Sequence, residues 1–227
     1  MRIGQGVSVS DELKFLEGAL HQFHENLTYY AEAGGWEDLP HFYNERATLS
    51  FLAAAAWQKK LLAIEEFVNW KKKEDVDYLG RCDIWIAERD KQQSASIEVK
   101  QFWPKPGTRS ETFSTWLSHG DKAAAGNPRY GFRVAMTFFS PVIPVGSETG
   151  ETLAVVRKIA ETVERDGSDG IAWWFPDAAM ERGLPRRDGK GMAHWPGLLT
   201  VMRNLGQASR RRTIIGRPFD RPAWWPG

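Results

Sequence analysis

Apolar residues between Ser8 and Ala33 recur at steps of three and four: Leu13, Leu16, Leu20, Phe23 or His24, Leu27 and Ala31. This spacing predicts an amphipathic helix capped by Ser10 and ended by Gly34-Gly35. A second helix is expected from Asp38 to Gln58, with Asp38 as its cap, Pro40 in its first turn and a stripe of Phe42, Leu49, Leu52, Ala53, Ala56 and Trp57. Glu45 falls three residues after Phe42 and four before Leu49, inside that stripe, where a carboxylate needs a partner. An arginine, the edge of the stripe, or a functional site would each supply one.

Leu61–Trp70 suits either a continuation of this helix or a strand, but the helix would be long, and Ile64, Phe67, Val68 and Trp70 tolerate a sheet. Ala63–Trp70 is expected as a first strand, joined by a charged loop, Lys71-Lys72-Lys73-Glu74-Asp75, to the stretch GRCDIWIAERDKQQSASIEVKQFW. Two alternating runs, Arg81 to Ile86 and Ser96 to Phe102, flank a polar, turn-prone segment there and predict a β-hairpin. With its turn at Asp90-Lys91, an antiparallel ladder sets Asp83 opposite Glu98 and Arg81 opposite Lys100, all four on one side. Cys82, Ile84 and Ile86 then share the apolar side with Ile97 and Val99.

Like charges directly opposed on a strand pair are destabilising, so something positive belongs between Asp83 and Glu98. A hard divalent cation held by oxygen ligands fits that need, with Lys100 beside it as a positive charge or proton donor. A cross-strand salt-bridge cluster on a half-buried hairpin fits it as well.

The remaining pattern predicts a helix over Ser110–Ala125, a doubly covered strand over Tyr130–Phe139, a helix over Thr149–Arg165, a short strand over Ile171–Phe175 and an edge strand over Leu198–Met202, with an irregular connection from Asp177 to His194. The tail from Gly206 carries Arg210, Arg211, Arg212, Arg217 and Arg221 among prolines, which argue against a helix. It is expected to run extended, packed on the body through Trp224-Trp225 or lying on a polyanion.

Composition adds constraints. A chain of 227 residues with a net charge of +1 suits one domain with additions and carries no global basic field, so a nucleic-acid surface would have to be local. Arg210, Arg211 and Arg212 in the tail and Lys71, Lys72 and Lys73 in the charged loop are the candidate phosphate contacts. The lone Cys82 excludes an internal disulfide framework and a cysteine-based zinc site, and fits a reducing compartment. His21 and His24 lie three apart, but nothing else of ligand type accompanies them. Without an apolar signal core or a membrane-length apolar run, the chain is expected to be soluble and cytoplasmic.

The order helix with Glu45, strand, strand with Asp83, hairpin, strand with Glu98-Val99-Lys100, helix, strand resembles the core of the PD-(D/E)XK nuclease superfamily over about Asp38 to Phe139. Cys82 stands where the family name has proline, and Gln101 matches a position that is often polar in related nucleases. The resemblance implies a restriction-endonuclease-like α/β fold, a central mixed sheet flanked by helices. Residues 1–37 would form an N-terminal helical extension, 38–205 the nuclease-like domain and 206–227 a basic tail. It further implies Mg²⁺ or Mn²⁺ bound by Asp83 and Glu98, Lys100 beside the attacking water, and Glu45 completing the site. The activity implied is metal-dependent cleavage of nucleic acid, DNA being the expected substrate, in a defence, restriction or repair setting, with a homodimer or a partner subunit as possible assemblies. A nuclease-like domain kept only for binding or scaffolding is the alternative.

Overall fold

The computed structural model describes residues 3–73, 76–127, 131–147, 150–181, 183–185, 191–206 and 222–225. Val7 and Val9 alternate with Gly6 and Ser8 and pair with a later strand, so the first element is a strand, β1 (Gly4–Val9), where helical spacing alone would begin a helix at Ser8. A 3-10 turn, Asp11–Leu16, leads into α1 (Glu17–Ala33). Ser10 makes no side-chain cap; its N–H donates to the Asp169 carbonyl at 2.8 Å. Leu13, Leu16, Leu20, Phe23 and Leu27 all enter the core, each worth roughly 1.5–3 kcal/mol on burial.

The second expected helix divides in two. Pro40 opens a single turn, α2 (Pro40–Tyr43), with Leu39 at its cap, while Asp38 instead accepts a hydrogen bond from the Tyr30 hydroxyl at 2.5 Å. Asn44 is fully extended and its side-chain oxygen accepts from the Ala47 N–H at 2.9 Å, which starts α3 (Glu45–Gln58). Asparagine offers the backbone this local alternative to a continuing helix. Glu45 is thus the first residue of α3 and not an interruption in a continuous stripe, and a carboxylate is favourable at that positive end of the helix.

β2 (Leu62–Lys73) and β3 (Val76–Ala87) form one long antiparallel hairpin, in register from Leu62↔Ala87 to Lys73↔Val76. Lys71, Lys72 and Lys73, expected in a loop, are strand residues paired with Tyr78, Asp77 and Val76. Then follow β4 (Ser94–Phe102), α4 (Ser110–Ala125), β5 (Phe132–Phe139), β6 (Ile143–Pro144), α5 (Glu151–Asp166), β7 (Gly170–Phe175), β8 (Leu184–Pro185), β9 (Met192–His194) and β10 (Leu198–Asn204).

Seven strands make one mixed sheet in the order β1-β7-β10-β5-β4-β3-β2. β4 and β5 are parallel, joined by α4 as a crossover, and the other neighbours run antiparallel. β10, expected at an edge, lies between β7 and β5 with every residue from Leu198 to Arg203 buried. Its apolar run LLTVM lacks the polar alternation of a strand with one wet face. β8 and β9, within the connection expected to be irregular, make a small second sheet with β6.

The architecture is α/β, a large mixed sheet covered by helices on both faces. One core packs α1 and α3 against Val134, Met136 and Phe138, and the other packs α4 and α5 against Phe139, Leu199 and Val201. Residues 4–33, expected as an extension, supply an edge strand and a core helix. Trp224 and Trp225 join the second core, where Arg157 donates to the Trp224 carbonyl at 3.3 Å and Trp225 Nε1 to Glu164 at 3.1 Å. Arg210, Arg211, Arg212, Arg217 and Arg221 lie outside the described residues. Among those described, no helix is long and apolar enough to cross a membrane.

Candidate active site

The β3–β4 ladder runs from Ala87↔Ser94 to Ile84↔Ile97. One further step in this register would set Asp83 against Glu98, as expected from a turn at Asp90-Lys91, but the ladder ends there and the strands part. Asp83 fills the break: its Oδ2 accepts the backbone N–H of Val99 at 2.7 Å. Lys100 Nζ lies 3.8 Å from the same oxygen and 3.8 Å from Glu45 Oε1, while donating to the Val99 carbonyl at 2.5 Å. Glu45 also accepts from the backbone N–H of Gln101. Carboxylates from α3 and β3 and an ammonium from β4 thus meet in one place.

Gln101 fixes α3 against the sheet. Its Nε2 donates to the His41 carbonyl at 2.7 Å and its Oε1 accepts from the Thr48 hydroxyl at 2.7 Å. Both groups are buried, so this bridge between β4 and α2–α3 determines where the first residue of α3, Glu45, arrives.

Glu98 is placed differently. Its Oε1 accepts from Lys71 Nζ at 2.5 Å, with the two side chains 6% and 8% exposed, and Asn127 donates a further hydrogen bond. Lys71, expected on a solvated turn or against phosphates, is therefore buried in an ion pair. Its stem lies across Gly80, where a Cβ would stand 2.8 Å from Lys71 Cδ, so the glycine makes room for the reach. Lys72 is exposed, and its backbone N–H donates to the Gly126 carbonyl at 2.9 Å. Arg81 does not face Lys100. Its guanidinium lies 3.5 Å from Glu66, which Arg46 also approaches at 3.3 Å.

Burial is the main cause holding the Glu45 carboxyl above the usual carboxylate range; Lys100 pulls it back and Asp83 pushes it further up. Glu98 is raised in the same way, by burial first, opposed by the Lys71 hydrogen bond and reinforced by Asp83. Asp83 is therefore within electrostatic reach of both Glu45 and Glu98. The Cys82 thiol is pushed up to about 12 by burial and by Glu98. It is inert as a nucleophile at neutral pH. Although Ile84, Ile86, Ile97 and Val99 form the expected apolar side, Cys82 leaves it: its sulfur meets Asn127 Nδ2 at 3.6 Å, because β3 parts from β4 at Asp83.

Oxygen-only donors and mutually repelling carboxylates suit a hard divalent cation. Glu45 and Asp83 fit this requirement, with both contacts of Asp83 falling on Oδ2. Glu98, as placed, is engaged by Lys71, and among the described residues no three His, Cys, Asp or Glu side chains converge in a metal-ligating arrangement. Gly80, Asn127 and Thr48 are the participants that sequence reasoning missed, and Lys71, expected against phosphates, has another partner in Glu98. A glycine inside the strand-like run Val76–Ala87 was the one available signal. No family model matches the chain, and neither a curated protein nor a solved structure does.

Proposed function

We propose that the chain hydrolyses phosphodiester bonds of nucleic acid with a divalent cation, Mg²⁺ or Mn²⁺, on a restriction-endonuclease-like core of the PD-(D/E)XK type. DNA is the expected substrate, in a cytoplasmic defence, restriction or repair setting. The observation that carries this reading is Lys100 Nζ poised 3.8 Å from both Glu45 and Asp83, where strands β3 and β4 part. Asp83 and Glu45 would hold the cation, with Glu98 as the third ligand once it leaves Lys71. When bound, the ion supplies Lewis acidity and lowers the pKa of water at the site. Lys100, an ammonium on a one-third-exposed side chain, orients the attacking water and neutralises charge that builds on the phosphoryl oxygens. Asp83 and Glu45 keep that ammonium aimed.

A second reading is a nuclease-like module that binds without cleaving, and the buried Lys71–Glu98 pair favours it. The two readings separate when plasmid DNA, single-stranded DNA and RNA are each incubated with the protein in Mg²⁺, Mn²⁺ or EDTA. Cleavage that requires metal and falls roughly 10²-fold or more in Lys100→Met supports the hydrolase. Retention of nucleic acid with no cleavage in either metal identifies the binding module.

A further inference from the structure

Of the carboxylates in the proposed centre, Glu98 is the most buried and the only one closed off by a cation belonging to the chain itself. The Lys71 ammonium sits 2.5 Å from its Oε1, delivered from β2 over Gly80 of the intervening strand β3. Glu45 and Asp83 are related differently to their lysine, at 3.8 Å and without a direct hydrogen bond from Nζ. The centre therefore holds two ammonium groups in two modes, one loose between a pair of carboxylates and one tight on a single carboxylate.

We infer that Lys71 is a resident counter-ion competing with the divalent cation for Glu98, so that full metal binding is an exchange in which the ammonium gives up the carboxylate. This rests on the metal-dependent reading above and adds to it a residue that sets metal affinity. The physical basis is mutual exclusion. One buried carboxylate oxygen cannot give its full charge to an ammonium and to a metal ion at once, and the two ligands oppose each other through a reciprocal coupling free energy. The exchange is balanced in charged groups: Glu98 passes from one cationic partner to another and is never left buried alone, a strongly unfavourable state. Lys71 is thus a positioning residue, acting on the metal through Glu98 and not on the substrate.

The test measures Mn²⁺ binding to the full-length protein by isothermal titration calorimetry and by the electron paramagnetic resonance signal of free Mn²⁺, all variants at one pH. Lys71→Met keeps the stem over Gly80 and removes the charge. It is expected to bind Mn²⁺ roughly tenfold or more tightly than the wild type, and the gain should vanish in Lys71→Met combined with Glu98→Gln. Should Lys71→Met not fold, Lys71→Gln keeps a hydrogen-bond donor for Glu98 without the charge and reports the same exchange. Wild-type affinity that is unchanged or weakened in the Lys71 variant overturns the inference while leaving the metal-dependent reading in place. Absence of Mn²⁺ binding in the wild type and in every variant overturns that reading, and the inference falls with it.

Discussion

Asp83 Oδ2 accepts the Val99 N–H at 2.7 Å at the point where β3 and β4 cease to pair, so one side chain both ends a ladder and faces a candidate reaction centre. The two roles separate by substitution. Asp83→Ala leaves the Val99 N–H without its acceptor and should lose about 1–3 kcal/mol of stability. Asp83→Asn keeps an acceptor and should stay near wild type. Both should lose metal-dependent cleavage. Denaturant midpoints and a plasmid-nicking assay on the two variants check this, and wild-type activity in Asp83→Asn would confine the residue to its structural role.

Gln101 links the site to its support. Gln101→Leu removes a donor and an acceptor from a buried bridge, leaving the His41 carbonyl only Trp103 Nε1 at 3.2 Å and the Thr48 hydroxyl only the Asn44 carbonyl at 3.2 Å, at about 2 kcal/mol. Because Gln101 also locates the start of α3, the loss should appear in kcat with little change in KM. A variant that is destabilised but turns over normally would show that Glu45 needs no such anchor.

Stability should fall on mild acidification. Burial holds His24 down to about 3, helped by the charge of nearby His21, and holds His41 down to about 4 against a hydrogen bond with the Trp195 carbonyl. Both folded values lie below the unfolded one, near 6.5, so the unfolded chain takes up protons first. The stability involved is fully present above that value and is lost as pH falls toward 4 and then 3. The slope is at most about 1.4 kcal/mol per pH unit for each histidine. Glu98, raised by burial, works in the opposite sense, so the informative comparison is wild type against His24→Leu. Urea midpoints between pH 7.5 and 5 should fall more steeply with pH for the wild type than for His24→Leu; parallel curves would mean His24 does not titrate on unfolding.

The α4 helix was legible from Ser110 to Ala125, both bounds included, because its apolar period, its flanking Pro-Gly loop and Gly126 agree. The hairpin register was legible too, since alternation puts Ile84, Ile86, Ile97 and Val99 on one face and a turn at Asp90-Lys91 then pairs Ile84 with Ile97. What failed were cases where a long-range partner overrides local pattern. Val7 and Val9 are strand residues only because β7 exists to pair with them, and Lys71 looks like a solvated charge until Glu98, on a strand beyond β3, is seen to hold it. The break at Asn44 was readable in principle, as asparagine before Glu45 is a good helix start, yet the apolar spacing ran smoothly across it. The approach of Asp83, Glu45 and Lys100 depends on strands parting, which no alternation pattern encodes.

The position of β10 bears on how the protein is made. During synthesis, residues 45–139 can emerge and close β2, β3, β4 and β5 into a partial sheet, complete in its candidate catalytic groups, before β7 and β10 leave the ribosome. Until Leu198–Asn204 arrives, the nearly all-apolar Phe132–Phe139 is a bare margin, open to pairing with the same strand on a neighbouring nascent chain. Pausing of translation between β5 and β10 would therefore favour aggregation, and a chaperone that shields extended apolar segments would have its main work in that interval.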